Sequence, residues 1–222
     1  MNVAGLPTSP EACQWLYADD HLLALNKPSG VLSVPGKGED KQDCAWHWAR
    51  KTYPDALVVH RLDMATSGVL LFARTLECQR ALGQAFSERQ VHKRYVALVS
   101  PALPTRIGEW HDIDLPIGFD WAQRPLRKID LETGKPSHTR YCALPQLPCS
   151  HASRVALEPL TGRTHQLRVH LAAIGHPILG DTLYAPPAVQ AMAPRLQLHA
   201  ESLQLLHPVT GLPLTLHCEA DF

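Results

Sequence analysis

The period of the apolar positions changes along this chain, and the changes mark out its elements. Gly68–Arg74 (GVLLFAR) is a continuous apolar run, which predicts a strand covered on both faces. Just after it, Cys78, Leu82, Ala85 and Phe86 recur at i, i+4, i+7 and i+8. That is one stripe of a helix, capped by Thr75 and running to about Gln90. Arg94–Val99 returns to alternation, with Tyr95, Ala97 and Val99 on one face and Arg94, Val96 and Leu98 on the other. Leu167, Leu171 and Ile174 share a second helical stripe, which predicts a helix over Thr164–Ile174 closed by Gly175.

Shorter signals fill the rest. Trp15–Leu25 reads as two strands around a turn at Asp19-Asp20. Lys27-Pro28-Ser29-Gly30 reads as a turn, because Pro presets φ and Gly admits positive φ, and Val31–Val34 as extended chain. Asp43–Thr52 reads as a helix with Asp43 as N-cap and Tyr53-Pro54 as the stop. Residues 101–150 are rich in Pro and turn residues and show one strand, Arg140–Leu144. Ser153–Leu157 is another, and Leu203–Leu206 with Leu214–His217 forms a closing pair around Gly211. Many strands, three helices and no regular βαβ alternation predict an α+β fold with a largely antiparallel sheet, in one domain without a dividing linker.

Composition narrows this further. A chain of 222 residues that is 45% hydrophobic and 19% charged can bury a core without staples, and it is neither disordered, collagen-like nor coiled coil. Its longest apolar runs, such as Val69–Ala73, are far too short to cross a bilayer. The start, MNVAGLPTSPEACQW, has neither a basic n-region nor an apolar h-region, so no export and a cytoplasmic location are expected. The six cysteines then read as free thiols, and no two stand in C-x-x-C spacing. His165 and His170 are five apart, which misses the i,i+4 spacing of a helical metal pair, and no metal site is expected.

Lys plus Arg and Asp plus Glu both number 21, which at first argues against a nucleic-acid binder. The distribution alters that picture. Residues 121–170 hold eight Lys/Arg against three Asp/Glu, whereas residues 171–222 hold one against four. A basic face can bind phosphates in a neutral protein, although a solvated basic loop has the same composition.

Two segments could carry chemistry. Asp63 lies between Arg61 and the turn Met64–Gly68, just before the buried strand. It fits a turn residue and equally a carboxylate mounted on a rigid edge. Thr161–His170 (TGRTHQLRVH) crowds Arg163, His165, Arg168 and His170 onto a short helix whose N-terminus could receive an anion. A surface helix with cationic decoration fits the same pattern. Tyr95 reads locally as a core tyrosine.

Together, Lys27–Gly30 (KPSG), His60–Arg74 (HRLDMATSGVLLFAR), Lys93–Val99 (KRYVALV) and Gly162–Ala185 (GRTHQLRVHLAAIGHPILGDTLYA) strongly resemble the RluA family of pseudouridine synthases, in order and in spacing. The resemblance runs from about Asp19 to the C-terminus. It implies a catalytic domain over residues 19–222, after an extension of residues 1–18, with a mixed, mostly antiparallel sheet and a central RNA-binding cleft. Lys27 leaves no room before it for the S4 RNA-binding domain of many relatives. Met192–Glu201 (MAPRLQLHAE) and Ala220-Asp221-Phe222 are similar to the short dual-specificity members. That implies a monomer acting on an rRNA hairpin of 23S rRNA and on a tRNA anticodon stem-loop.

The resemblance also implies roles. Asp63 is the nucleophile or general base that lets uracil leave the ribose, turn and reattach through carbon 5, with no metal or other cofactor. Arg168 is its cationic partner, since a carboxyl in a dry pocket needs one to stay charged. Leu167 packs on the uracil, and Tyr95 stacks beneath the base. Arg61 fills the gap left by a flipped nucleotide. Arg163, His165, Arg124, Arg127 and Lys128 are candidate RNA contacts. Two other readings fit the pattern less well. One is an RNA-binding or RNA-folding protein with dispensable catalysis; the intact Asp63, Tyr95 and Arg168 set argues against it. The other is a glycosidase, which lacks a second carboxylate nearby.

Overall fold

A computed structural model describes residues 14–145 and 151–222. In chain order it contains β1 (Gln14–Ala18), β2 (Leu22–Lys27), α1 (Ala45–Thr52), β3 (Leu57–Val58), β4 (Ser67–Ala73), α2 (Leu76–Ser87), β5 (His92–Val99) and β6 (Trp110–Asp114). There follow β7 (Ile117–Phe119), β8 (Arg127–Ile129), β9 (His138–Ala143), β10 (Ser153–Pro159), α3 (Gln166–Ala173), α4 (Pro187–Gln190), β11 (Leu198–Leu206) and β12 (Pro213–His217). The class is the expected α+β one. Contacts gather the described residues into two compact units, one holding those up to 92 together with 200–221 and the other those from 93 to 199 together with 222. The boundaries between the units fall within β5 and β11.

In the first unit β4 lies beside β2 in antiparallel register from Leu22 opposite Ala73 to Lys27 opposite Gly68. β1 extends the sheet beyond β2, and β12 pairs antiparallel with β11. All seven residues of β4 are buried, as a continuous apolar run requires. Val69, Leu71 and Ala73 pack with Cys78 and Leu82 of α2 and with Leu203 and Leu216. The predicted helical stripe is thus the surface that covers the sheet, and Thr75 caps α2 by accepting from the Cys78 amide at 3.2 Å. Gly68 has φ +111, and a Cβ there would lie 2.3 Å from the Ala200 carbonyl, so only glycine lets these backbones meet.

In the second unit β5, β10, β9 and β6 lie side by side, with Tyr95 opposite Leu157 and Ala156 opposite Cys142. β7 and β8 form a separate hairpin, and α3 packs against β8, β9 and β10. The ladders between these strands are antiparallel.

Several local expectations shift. Asp43 is not the N-cap of α1: Cys44 takes that place, and the Asp43 carboxylate accepts from the Trp48 indole. Val31–Val34 is not a strand; Leu32 makes one isolated bridge to Cys44. α2 ends at Ser87, before an Arg89 with φ 62. β11 begins at Leu198 rather than Leu203, and β6, β7 and β8 lie in the stretch read as turns. Cys44, Cys78, Cys142 and Cys218 are buried thiols, while Cys13 and Cys149 fall outside the described residues. Among the described residues no helix is long and apolar enough to cross a membrane.

Candidate active site

Asp63 sits half-buried on the loop that feeds β4, and the chain holds that loop from residue to residue. Ser33 Oγ donates to the Leu62 carbonyl at 2.8 Å and accepts from the Leu62 amide at 2.9 Å. The Met64 carbonyl accepts from the Gly30 amide at 2.8 Å and from Lys27 Nζ at 3.1 Å. Ser29 Oγ donates to the Ala65 carbonyl at 2.7 Å, and the Thr66 amide closes the turn onto the Asp63 carbonyl at 3.1 Å. His60 Nε2 accepts from the Leu71 amide at 2.9 Å, and its ring stacks on Phe86 at 4.9 Å. The segment Lys27–Gly30, read locally as a turn, is therefore a clasp under the Asp63 loop. Lys27 is wholly buried, and its ammonium also donates to the Pro28 and Val31 carbonyls. Buried donors and acceptors matched in this way fix a backbone to a single course. Arg61, two residues before Asp63, is exposed.

In the second unit α3 is no surface helix: Gln166, Leu167, Arg168, Val169, His170 and Leu171 are all buried. It also starts two residues later than predicted, so Arg163 and Thr164 precede it. His165 stands at its entry in the left-handed region, with φ 58 and ψ 16. That conformation costs a non-glycine residue about 1–3 kcal/mol, and here the surroundings hold it. His165 Nδ1 and the Tyr184 hydroxyl share a hydrogen bond of 2.6 Å, and the same hydroxyl oxygen accepts from the Arg127 amide at 3.0 Å. One side chain thus joins the entry of α3 to β8.

Gln166 and His170 tie the helix to β9. Gln166 Nε2 donates to the Thr139 hydroxyl at 3.0 Å, which donates in turn to His170 Nδ1 at 2.9 Å. His170 Nε2 donates to the Leu115 carbonyl at 2.9 Å, so the ring is the neutral Nε2–H tautomer. Burial is the main force holding His170 below its ordinary pKa; the bond to Leu115 opposes it, His138 adds to it and Asp114 opposes it.

Arg168 is 4% exposed and engages Asp181 through both edges: Nε to Oδ2 at 2.9 Å and Nη2 to Oδ1 at 2.6 Å. Asp181 Oδ1 also accepts from the Leu183 and Tyr184 amides, and the Arg168 guanidinium lies 5.1 Å from the Tyr184 ring centre. Next to Asp181, Gly180 has φ +71, and a Cβ there would lie 2.0 Å from the Arg195 carbonyl. Leu167 is 6% exposed beside Arg168, and Tyr95 is half-buried in the middle of β5.

Arg127, Lys128 and Arg163 meet in one groove of about 520 Å³, with Lys135 as a further cation. Arg124 lies 4.5 Å above Trp121 on the same hairpin. Sequence reasoning missed Asp181, Tyr184, Lys27 and Ser33, and it missed the aromatic residues Phe119 and Trp121. The last two had a visible signal, since aromatics interleave with cations in FDWAQRPLRK.

A family model described as RNA pseudouridylate synthase matches residues 21–173. The dual-specificity RNA pseudouridine synthase RluA of Escherichia coli strain K12 is 49% identical over 211 residues, 93% of each chain. The protein of the same name from Haemophilus influenzae is 44% identical over 207 residues, again 93% of each. Among solved structures, human RNA pseudouridylate synthase domain containing 1 superposes with a TM-score of 0.80 at 30% identity, covering 98% of this chain and 87% of that one.

Proposed function

The chain belongs to the RNA pseudouridylate synthase family and isomerises uridines in RNA, and we propose that Asp63 is the carboxylate that carries the reaction. The observation that supports this choice is the clasp on its loop. Leu62, Met64 and Ala65 are each hydrogen-bonded to the segment Lys27–Ser33. A carboxylate mounted on a backbone held this firmly is preorganised for a charge that develops only in the transition state.

In the proposed route Asp63 accepts the proton from C2′ as the C1′–N1 bond breaks, which yields a glycal and a uracil anion. The uracil turns, C5 bonds to C1′, and the carboxyl returns its proton to C2′. Loss of the C5 proton and protonation of N1 restore the aromatic base, so atoms and electrons balance without a redox partner. Tyr95 stacks beneath the base and assists the last proton transfer. Arg168 is the counter-charge of Asp63, and Leu167 packs against the uracil. Arg61 fills the space of the flipped nucleotide. Arg163, His165, Arg124, Arg127 and Lys128 hold the RNA backbone.

We further propose two RNA classes as substrates, an rRNA hairpin and a tRNA anticodon stem-loop, on the strength of the relatives named dual-specificity. Mapping pseudouridine in both classes from a strain lacking the protein tests this; loss in one class alone overturns the dual assignment.

The catalytic assignment is tested by Asp63→Asn. Tritium release from carbon 5 of labelled uridine RNA is expected to vanish while RNA affinity stays within about twofold. Turnover above a few per cent would remove Asp63 from the role.

A further inference from the structure

We propose that the β7–β8 hairpin carries a second nucleobase site, in which an unpaired base other than the isomerised uridine stacks on Trp121 and Phe119. The inference rests on the reading that RNA is the substrate. Phe119 and Trp121 are 47% and 67% exposed, so the fold gains little from burying them. Their rings are nonetheless ordered against each other, with centroids 5.0 Å apart and planes 19° from parallel. Cations complete the stack: the Arg127 guanidinium lies 3.6 Å from the Phe119 ring centre and the Arg124 guanidinium 4.5 Å from that of Trp121. Interleaved aromatic and guanidinium planes match the faces of a nucleobase.

The neighbouring groove supplies what a base site needs beside it. Lys128, Lys135 and Arg163 line it together with Arg127, and Asp130 is the acidic residue among its lining. The Asp130 carboxylate is engaged in its own turn, accepting from the Thr133 amide at 2.9 Å, the Thr133 hydroxyl at 2.7 Å and the Glu132 amide at 3.2 Å. The Asp120 carboxylate likewise accepts from the Gln123 amide at 3.3 Å. With four cations against one carboxylate in its lining, the groove is net cationic and suits a phosphodiester backbone. A helical RNA keeps its base faces stacked inside the duplex, so this arrangement selects the unpaired nucleotides of a loop. The Tyr184 hydroxyl joins Arg127 to His165, which ties the platform to the entry of α3.

The test compares the wild-type chain with Trp121→Leu, Phe119→Leu and Lys128→Gln. The probes are an RNA stem-loop with unpaired uridines, the same stem-loop with single loop bases removed to leave the ribose, and a blunt duplex of the same stem. Trp121→Leu is expected to weaken stem-loop binding about 5- to 100-fold, the range of one lost base stack. It should leave the salt slope unaltered, and one abasic stem-loop should bind wild type and variant alike. Lys128→Gln should instead lower the salt slope by about one. Both aromatic variants should melt with the wild type, because the rings removed are exposed. Wild-type affinity in Trp121→Leu and Phe119→Leu would overturn the base site while leaving the RNA reading intact. Equal sensitivity with the blunt duplex would overturn base stacking in the same way. Failure of wild type to bind any of the RNAs would overturn the RNA reading itself.

Discussion

Arg168 and Asp181 form a two-pronged ion pair, 4% and 1% exposed, thirteen residues apart in the sequence. The arginine proposed to serve Asp63 is therefore already oriented by a carboxylate of its own unit. Planar guanidinium meets planar carboxylate edge to edge, which leaves the arginine little rotational freedom.

This pairing sets the first expectation. Arg168→Met leaves the Asp181 carboxylate buried without its cation and should lower unfolding stability by about 3–5 kcal/mol. Asp181→Asn should cost less, and the double variant Arg168→Met/Asp181→Asn should recover part of the loss. A urea double-mutant cycle reads this, and additive effects would refute the coupling. A cycle of Arg168 with Asp63 alone would mislead, since Asp181 stays stranded in it.

Ser33 gives a test of the loop clasp. Ser33→Ala removes the one hydroxyl that both donates to and accepts from Leu62. The unmatched backbone groups should cost about 1–3 kcal/mol in chemical denaturation. Because Asp63 is the next residue, kcat should fall more than the RNA affinity does. Ser33→Thr keeps the hydroxyl and should restore both; a variant with lost stability but unaltered kcat would show that the clasp does not position Asp63.

His170 makes stability depend on pH. Its folded pKa lies below 6.5, chiefly through burial, so below that pH the unfolded chain binds a proton that the folded chain resists. Its contribution is present above about pH 6.5 and is lost as pH falls further. Urea midpoints measured on both sides of that value should drop on acidification, and His170→Gln should flatten the drop. An identical pH profile in the variant would remove His170 as the cause.

Asp19 acts in a lower window. Burial works to raise its pKa, but hydrogen bonds from Tyr17, the His21 and Leu22 amides and His207 outweigh it and hold it at about 2. A depressed folded pKa gives stability that is present above the unfolded value of 3.8 and lost as pH falls toward about 2. Acid unfolding of Asp19→Asn should lack that component, and a midpoint that shifts equally in both proteins would refute it.

The regular parts of the fold were legible because one period dominates each. β4 is buried at every position and apolar from Gly68 on, and the α2 stripe packs as its spacing implies. The hairpin strands β7 and β8 escaped notice because three residues each, both followed by Asp, carry no period. α3 started late because His165 turns left-handed to reach Tyr184, a contact nineteen residues away that local pattern cannot show. Asp63 and Arg168 stood out through their motifs. Asp181 and Ser33 did not, because their work is defined by partners distant in sequence.

Gly180 sets the geometry of the Arg168–Asp181 pair. With the Arg195 carbonyl 2.0 Å from where any Cβ would stand, even a methyl group at position 180 pushes the chain outward and carries Asp181 with it. The single hydrogen atom on Gly180 thus sets the address of a charge, and a bulkier residue there would disturb the orientation of Arg168.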